Sequence, residues 1–492
     1  MICSCIDRIY ITSPIFNTAS DWEINNSPIE HGHWKLPLFL LKDKAFKNEI
    51  RKLPLDLNKK IMSAPARSHT NNPQIIFKTF KDKIKELAID TAKIVIPKLT
   101  KKLIQLKQEH KAIINNNSLN EHEKMAQTGP IHDQIDQLEK KKFQKAKNST
   151  KTRFTLEGET ISKYWSLLNK ENKPWDPIFS LWKPGSDPPR YETNSHHMAE
   201  IARKHHENLL TEGIHPDDAE REAAIIQVLD DINESSYLPP PDNDKLSAPI
   251  TEDLIQLALQ ESATNTTPGI NGLPYELWKM LAMDHTEEEN KDKNTHNQHQ
   301  QPIPDLNEPI IKEIQPAAKK TRILETLTKV YLDIECHGVH DDSEFAAGWL
   351  CPLYKKKDKR EIGNYRPITL LNTDYKIYTK ALAIKLAAAA PHIVHPNQAG
   401  FMPGCSIHDQ VKLAKLMIHY VEVSEENGLI VALDQEKAYD KICHDYLWCT
   451  MQKYNIPQSF TNTVRSLYES AKTAVILNGA ISKTFQVSRG VH

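Results

Sequence analysis

The stretch Leu429-Ile430-Val431-Ala432-Leu433-Asp434-Gln435-Glu436-Lys437-Ala438-Tyr439-Asp440 carries a carboxylate at 434, an aromatic at 439 and a second carboxylate at 440. The apolar run predicts a buried strand, Leu429–Leu433, that ends on Asp434. An acid at the end of such a strand can hold a divalent cation in a dry, rigid place. Phosphoryl transfer needs that, because metal ions clamp the attacking and leaving oxygens. Tyr439 can lie under a nucleotide sugar and collide with a 2′-hydroxyl, the group that separates ribonucleotides from deoxyribonucleotides. A core strand followed by a solvated acidic helix start fits the same residues, and spacing alone does not separate the two readings.

Other motifs surround this stretch. Upstream lie Pro352-Leu353-Tyr354-Lys355-Lys356-Lys357-Asp358-Lys359, Asn364-Tyr365-Arg366-Pro367-Ile368-Thr369-Leu370-Leu371-Asn372 and Asn397-Gln398-Ala399-Gly400-Phe401-Met402-Pro403-Gly404-Cys405. Downstream come Leu477-Asn478-Gly479 and Ser488-Arg489-Gly490-Val491. In this order the motifs resemble the reverse transcriptase of non-LTR (LINE-type) retrotransposons, strongly from about Thr251 onward and weakly before it. The resemblance implies RNA-templated DNA synthesis on an RNA template and a DNA primer, with deoxynucleoside triphosphates as substrates and Mg²⁺ as cofactor.

By that resemblance Asp434 is the catalytic carboxylate, and Asp434 and the carbonyl of Gln435 are the metal ligands. Lys355, Lys357, Arg366, Gln435 and Tyr439 bind the nucleotide, with Tyr439 as the sugar gate. A planar guanidinium can hold two phosphate oxygens at once, which favours Arg366 over any single lysine. For the lysines, a solvated hairpin tip is the competing reading. Gln398, Gly400, Phe401 and Gly404 shape a loop beside the template strand. Cys405 stands where the family usually has arginine, so one backbone contact is expected to be lost.

The family continues beyond Arg-Gly-Val with a proline-led helix and a hairpin of two adjacent aspartates, whereas this sequence ends at His492. One carboxylate holds Mg²⁺ weakly, because that ion needs octahedral oxygen ligation. The expectation is therefore no polymerase activity from this polypeptide alone; the alternative function is a non-enzymatic nucleic-acid-binding remnant. At the start, Ile6-Asp7-Arg8-Ile9-Tyr10-Ile11 and Ile29-Glu30-His31-Gly32-His33-Trp34 resemble the tail of an apurinic-type endonuclease. Asp7 and His33 are its remnant site residues, and without the upstream metal ligands this piece is not expected to cut DNA.

Composition sets bounds on these readings. The 492 residues carry a net charge of −1, with 39% hydrophobic and 26% charged residues, so binding to nucleic acid must rest on local patches. Seven cysteines without a CxxC pair fit free thiols, not a disulfide scaffold. No apolar run reaches membrane-spanning length and no secretory signal is visible, which points to the cytoplasm or nucleus. No protein partner is identifiable.

The expected fold class is α+β: right-hand polymerase fingers and a partial palm, preceded by a helical arm and a small β remnant of an endonuclease domain. Residues 1–45 form the remnant, 46–150 a helical basic linker and 151–250 a helical pre-polymerase region. Residues 251–284 form an N-terminal extension, 285–308 a disordered insert and 309–492 the fingers and incomplete palm. In the linker, Pro97 should break the helical run, and Lys140 to Arg153 form a basic stretch. Arg153-Phe154-Thr155-Leu156-Glu157-Gly158-Glu159 with Tyr164-Trp165 resembles the segment that precedes the family's polymerase. The pairs His196-His197 and His205-His206 lack further ligands at metal spacing and read as exposed helix. Glycines in Thr267-Pro268-Gly269-Ile270-Asn271-Gly272 allow turns that could bring a loop up to a nucleic acid strand. Phe345–Asn372 reads as a β-hairpin, Asp409–Asn427 as a helix, and Asn478-Gly479 as a hairpin turn.

Overall fold

The computed structural model describes residues 34–63, 66–114, scattered positions between 127 and 138, 178–212 apart from 187 and 189, 219–283, 322–402, 404–424 and 427–490. Asp7, His33, the basic stretch at 140–153, the motif at 153–165 and the insert at 285–308 lie outside the described residues. The chain divides into two compact units. Among the described residues, one comprises 34–52 and the stretch from 81 to 138; the other comprises 53–80 and 178–490.

Helices α1 (Lys44–Met62) and α2 (Pro73–Ile114) open the described chain. Asp43 Oδ1 accepts from Phe46 N at 2.9 Å at the start of α1, and Asn72 Oδ1 accepts from Ile75 N at 3.1 Å at the start of α2. These are side-chain caps that satisfy orphan N–H groups of a first turn. In the smaller unit Phe46, Ile50, Ile84 and Ala88 are buried. Helix α2 runs unbroken through position 97, where Pro97 was expected to end it. One interior proline costs a helix about 3 kcal/mol, and the hydrogen-bonded turns on both sides of it outweigh that here.

The larger unit is an α+β body. In chain order it holds β1 (Leu181–Trp182), β2 (Tyr191–Glu192), α3 (Ser195–Thr211), α4 (Ala219–Asp230), α5 (Pro240–Ser247), α6 (Glu252–Glu261), α7 (Tyr275–Ala282) and α8 (Arg322–His337). Then follow β3 (Ala347–Tyr354), β4 (Tyr365–Leu371), α9 (Thr373–Ile393), α10 (Ile407–Ser424), α11 (His444–Lys453), α12 (Gln458–Glu469), β5 (Lys472–Leu477), β6 (Ala480–Ile481) and β7 (Phe485–Gln486). No described helix is long and apolar enough to cross a membrane.

The main sheet has the order β4-β3-β5-β6, with β7 also on β5. Strands β3 and β4 are antiparallel, while β3 and β5 are parallel over Ala347–Leu350 and Lys472–Val475. Pro352 lies opposite Pro367. Neither has an N–H, so the pair can occupy only a non-hydrogen-bonded position of the ladder. The next pair, Leu353 with Arg366, is then a hydrogen-bonded one, and the alternation continues at Lys355 N, which donates to Asn364 O at 3.0 Å.

Two cores flank this sheet region. On one side α3 lays Met198, Ala199 and Ala202 against Leu350, Tyr365, Val475 and Phe485. The other is built around Trp278, Tyr331 and Tyr378, all under 2% exposed. Trp278 Nε1 donates to Thr373 Oγ1 at 2.7 Å, Thr373 Oγ1 donates to Leu273 O at 2.7 Å, and the Tyr331 hydroxyl donates to Asp374 O at 2.9 Å. The Asn372-Thr373-Asp374 segment is therefore a buried junction of β4 and α9. Gly269 explains why the loop before α7 needs glycine: a β-carbon there would collide with Asn372 N and the Leu371 carbonyl group. The close approach that this glycine permits is to the protein's own backbone at the end of β4.

Candidate functional site

The hairpin β3–β4 ends in a loop of cations. Lys355, Lys356 and Lys357 are exposed there, and the chain turns through Lys357 at a φ of 69°. Tyr354 braces the tip, its hydroxyl donating to Lys357 O at 2.7 Å. Arg360 is not available to a ligand in the same way. It grips Asp358 with Nε–Oδ1 at 3.0 Å and Nη2–Oδ2 at 2.8 Å, which holds the Asp358 carboxyl below its ordinary pKa, and it lies 4.9 Å over the Tyr191 ring. The carbonyl of Arg360 accepts from Trp182 N at 2.8 Å, so β1 and β2 steady the loop from behind.

Arg366 sits one residue inside β4, paired with Leu353. Alternation along the strand puts its neighbour Tyr365 into the core and Arg366 on the exposed face beside Ile368. Among the described residues it makes no ion pair and no side-chain hydrogen bond. A guanidinium held on a paired strand, with its five donors unspent, is a ready binder of an oxyanion.

The segment after α10 differs from its expectation. The strand Leu429–Leu433 is not formed: these residues have no regular structure, pair with no described strand and are exposed, with Leu429 at 89% and Leu433 at 91%. A strand exists only as part of a pair, and no described strand lies along this run. Asp434 and Gln435 are consequently exposed on an irregular segment. Helix α10 forms as expected but buries none of its residues.

Order returns at the turn that follows. Asp440 N and Lys441 N both donate to Lys437 O at 3.0 Å. The Ser488-Arg489-Gly490 strip then closes over this turn. Gly490 N donates to Ile442 O at 2.8 Å, and Cys443 bridges to Arg489. Arg489 spends its guanidinium on two carbonyls, Lys441 O at 2.7 Å and Glu212 O at 2.6 Å. His444 Nε2 reaches Gly490 O at 2.9 Å. Burial raises the Asp440 carboxyl above its ordinary pKa, and Lys437 opposes the rise.

The turn also presents Tyr439 to Phe401, ring to ring at 6.0 Å in an edge-to-face arrangement. Phe401 is 91% exposed and sits at a φ of 62°. Its loop is held by Gln398 Nε2, which donates to Gly400 O at 3.1 Å, while Gly404 takes a φ of 76°. The structure thus brings Phe401, Tyr439, Asp440 and Gly490 into one cluster. Among the described residues, no hydrogen bond, ion pair or ring contact joins Lys355, Lys357 or Arg366 to Asp434, Gln435 or Tyr439.

Two features escaped the sequence. Arg489 and Gly490 hold the turn behind Tyr439, although their motif was visible only as part of a resemblance. His206 is not on an exposed helix face but 3% exposed, with its pKa pushed down to about 3 by burial, by His205 and by Lys437. Its position in α3, four residues after Ala202 and three before Leu209 on the buried stripe, was the available signal.

Comparison with known proteins identifies the C-terminal part of the sequence. Residues 354–492 match the model for reverse transcriptase (RNA-dependent DNA polymerase). The chain carries a reverse transcriptase domain of the non-LTR retrotransposon type. It is 30% identical over 253 residues to the transposon TX1 uncharacterized 149 kDa protein of Xenopus laevis, covering 50% of this chain and 16% of that protein. It is 28% identical over 138 residues to the probable RNA-directed DNA polymerase from transposon X-element of Drosophila melanogaster, covering 27% of this chain and 15% of that one. The type-2 retrotransposable element R2DM polyprotein of the same fly is 27% identical over 128 residues, 26% of this chain and 12% of the polyprotein. The chain therefore spans between 12% and 16% of these relatives.

Proposed function

We propose that this reverse transcriptase domain contributes nucleotide-gripping fingers and the leading part of a palm to RNA-directed DNA synthesis. In that reaction the primer 3′-hydroxyl oxygen attacks the α-phosphorus of a deoxynucleoside triphosphate, and the bond to pyrophosphate breaks. The observation that carries the reading is Arg366, without an ion pair among the described residues and held on β4 inside the segment that matches the family. Arg366, with Lys355 and Lys357 from the loop, binds the triphosphate. Tyr439, backed by Phe401, meets the sugar and rejects a 2′-hydroxyl. Gln398, Gly400, Phe401 and Gly404 line the template, where an exposed aromatic can stack on a base.

Asp434 and the carbonyl of Gln435 are oxygen donors of the kind that Mg²⁺ takes. When bound, the ion would neutralise charge that builds on the phosphate oxygens. A second reading, binding of nucleic acid without catalysis, is favoured by one observation: among the described residues Asp434 belongs to no group of three or more histidine, cysteine or carboxylate side chains close enough to share an ion.

The test measures binding of a fluorescent deoxynucleoside triphosphate to the primer–template complex, then primer extension, for the 492-residue protein and its Arg366→Gln variant. Binding lost in the variant supports the fingers reading, and extension separates catalysis from binding alone. Equal nucleotide affinity in both proteins would sink it.

A further inference from the structure

We propose that His69, His340 and Asp342 form a site for a divalent transition-metal ion, Zn²⁺ in the first instance, which fastens the segment between α1 and α2 to the connection between α8 and β3. One ligand atom from each residue lies within 4.8 Å of the other two. His69 Nδ1 is 3.8 Å from Asp342 Oδ2, and the two imidazoles meet edge to face at 4.3 Å. Two histidines and one carboxylate are the donor set that zinc takes when it keeps a fourth position for water or a ligand.

The second observation is an unsatisfied nitrogen. His340 Nδ1 accepts from Asp342 N at 3.2 Å, but His340 Nε2 is shut off from solvent and has no hydrogen-bond partner among the described residues. A buried ring nitrogen without a partner is a cost to the fold. A metal bound at Nε2 would relieve it once the ring takes its Nδ1–H tautomer, which gives up the contact from Asp342 N.

The two loops are held in place by buried amides. Asn72, 1% exposed, donates to Ser68 O at 3.1 Å and His69 O at 3.2 Å, which fixes the loop that carries His69. Gln74, 2% exposed, accepts from His340 N at 2.7 Å and donates to Gly338 O at 2.8 Å and Asp333 Oδ2 at 2.9 Å. Both ligand-bearing loops thus hang on two neighbouring residues at the start of α2. Such support lowers the ordering cost of binding an ion.

Ideal tetrahedral ligation places donor atoms about 3.3 Å apart, given zinc–nitrogen bonds of about 2.0–2.1 Å. The separations within 4.8 Å must therefore close by at most about 1.5 Å. The exposed side chains of His69 and Asp342, 76% and 68% accessible, are free to supply that movement. A cation beside the site, Lys78, is already spent: its Nζ donates to Asp342 O at 2.8 Å and pairs with Glu344 at 2.9 Å.

The site is independent of the polymerase reading and is tested without nucleotide. Co²⁺ alone is titrated into the metal-free protein, its visible d–d absorption is recorded, and Zn²⁺ is then added in competition. The expected result is a tetrahedral or five-coordinate Co²⁺ spectrum that Zn²⁺ abolishes. The same spectrum is expected to be lost in His69→Ala and in Asp342→Asn, with bound metal falling by one equivalent. Both substitutions are on exposed side chains, and their circular dichroism should match the parent. Absence of the spectrum in the parent protein, or its persistence in both variants, overturns the proposal.

Discussion

A β-carbon on Gly490 would lie 3.0 Å from the carbonyl oxygen of Tyr439. The same atom would be 3.1 Å from Asp440 O, and Gly490 holds a φ of 87°. The residue that closes the turn thus has to be glycine for two separate reasons. The aromatic proposed to read the sugar is positioned from behind by a strip of chain about fifty residues further on.

Gly490→Ala should therefore loosen the turn from Lys437 to His444. A left-handed conformation costs a residue with a β-carbon roughly 1–2 kcal/mol, and backbone contacts this tight leave little room to relax. The expected loss is about 2 kcal/mol in urea denaturation, with faster amide exchange confined to this turn. An unchanged midpoint would show that the strip does not hold the turn in solution.

Arg366→Gln should leave the fold intact, because the guanidinium is exposed and makes no ion pair to the described residues. Charge-assisted hydrogen bonds contribute about 1.5–3 kcal/mol, so triphosphate affinity should fall roughly ten- to a hundredfold. Arg366→Lys should recover part of it, since a point charge replaces a fork. Fluorescence titration with a labelled deoxynucleoside triphosphate measures all three proteins.

Local signals in the sequence were read well where the chain supplies its own partner. Asn194 accepts from His196 N at 3.0 Å and His197 N at 3.2 Å, and Thr251 accepts from Leu254 N at 3.3 Å; both start helices close to where periodicity put them. Asn478 and Gly479 take φ values of 50° and 86° and make the expected turn. The partner strand was less legible: Ala480–Ile481 follows the turn at once, while Phe485–Gln486 pairs farther down β5. Leu429–Leu433 shows the limit. Its apolar run says that the residues prefer burial, but strand formation depends on a neighbour that local sequence does not name. His206 failed for the opposite reason, as its polarity hid a position on the buried stripe of α3. The meeting of Phe401 with Tyr439 spans 38 residues and could be anticipated only through resemblance.

Gly269→Ala should be far more damaging than a loop substitution normally is. The new β-carbon would have to enter the space of Asn372 N and the Leu371 carbonyl group, at the buried junction from which Thr373 and Asp374 tie the second core. Main-chain atoms there cannot move without breaking the Trp278–Thr373 and Tyr331–Asp374 bonds. The expected loss is about 3 kcal/mol or more, seen as a large drop in thermal midpoint or in soluble yield. A wild-type midpoint would mean that the loop before α7 stands off from β4.

The buried imidazole of His206 makes stability depend on pH. Its pKa in the folded protein is about 3, below the ordinary 6.5, because burial, His205 and Lys437 all disfavour the cation. His205 is shifted in the same direction, by burial first and then by Lys437. Between the two pKa values the unfolded chain binds a proton that the folded chain refuses, so stability rises with pH. The contribution is complete above about pH 6.5 and is lost progressively as the pH falls toward 3. At pH 5 the loss from His206 alone is about 2 kcal/mol. Asp440, whose carboxyl is raised by burial, acts in the opposite sense at lower pH, so the comparison must be made against a variant. His206→Leu removes the titrating ring and the Nε2 atom that has no hydrogen-bond partner among the described residues. Urea denaturation of both proteins at pH 7 and pH 5 should show the parent losing about 2 kcal/mol more than the variant. Equal losses would mean that water or a rearranged α3 already reaches this ring.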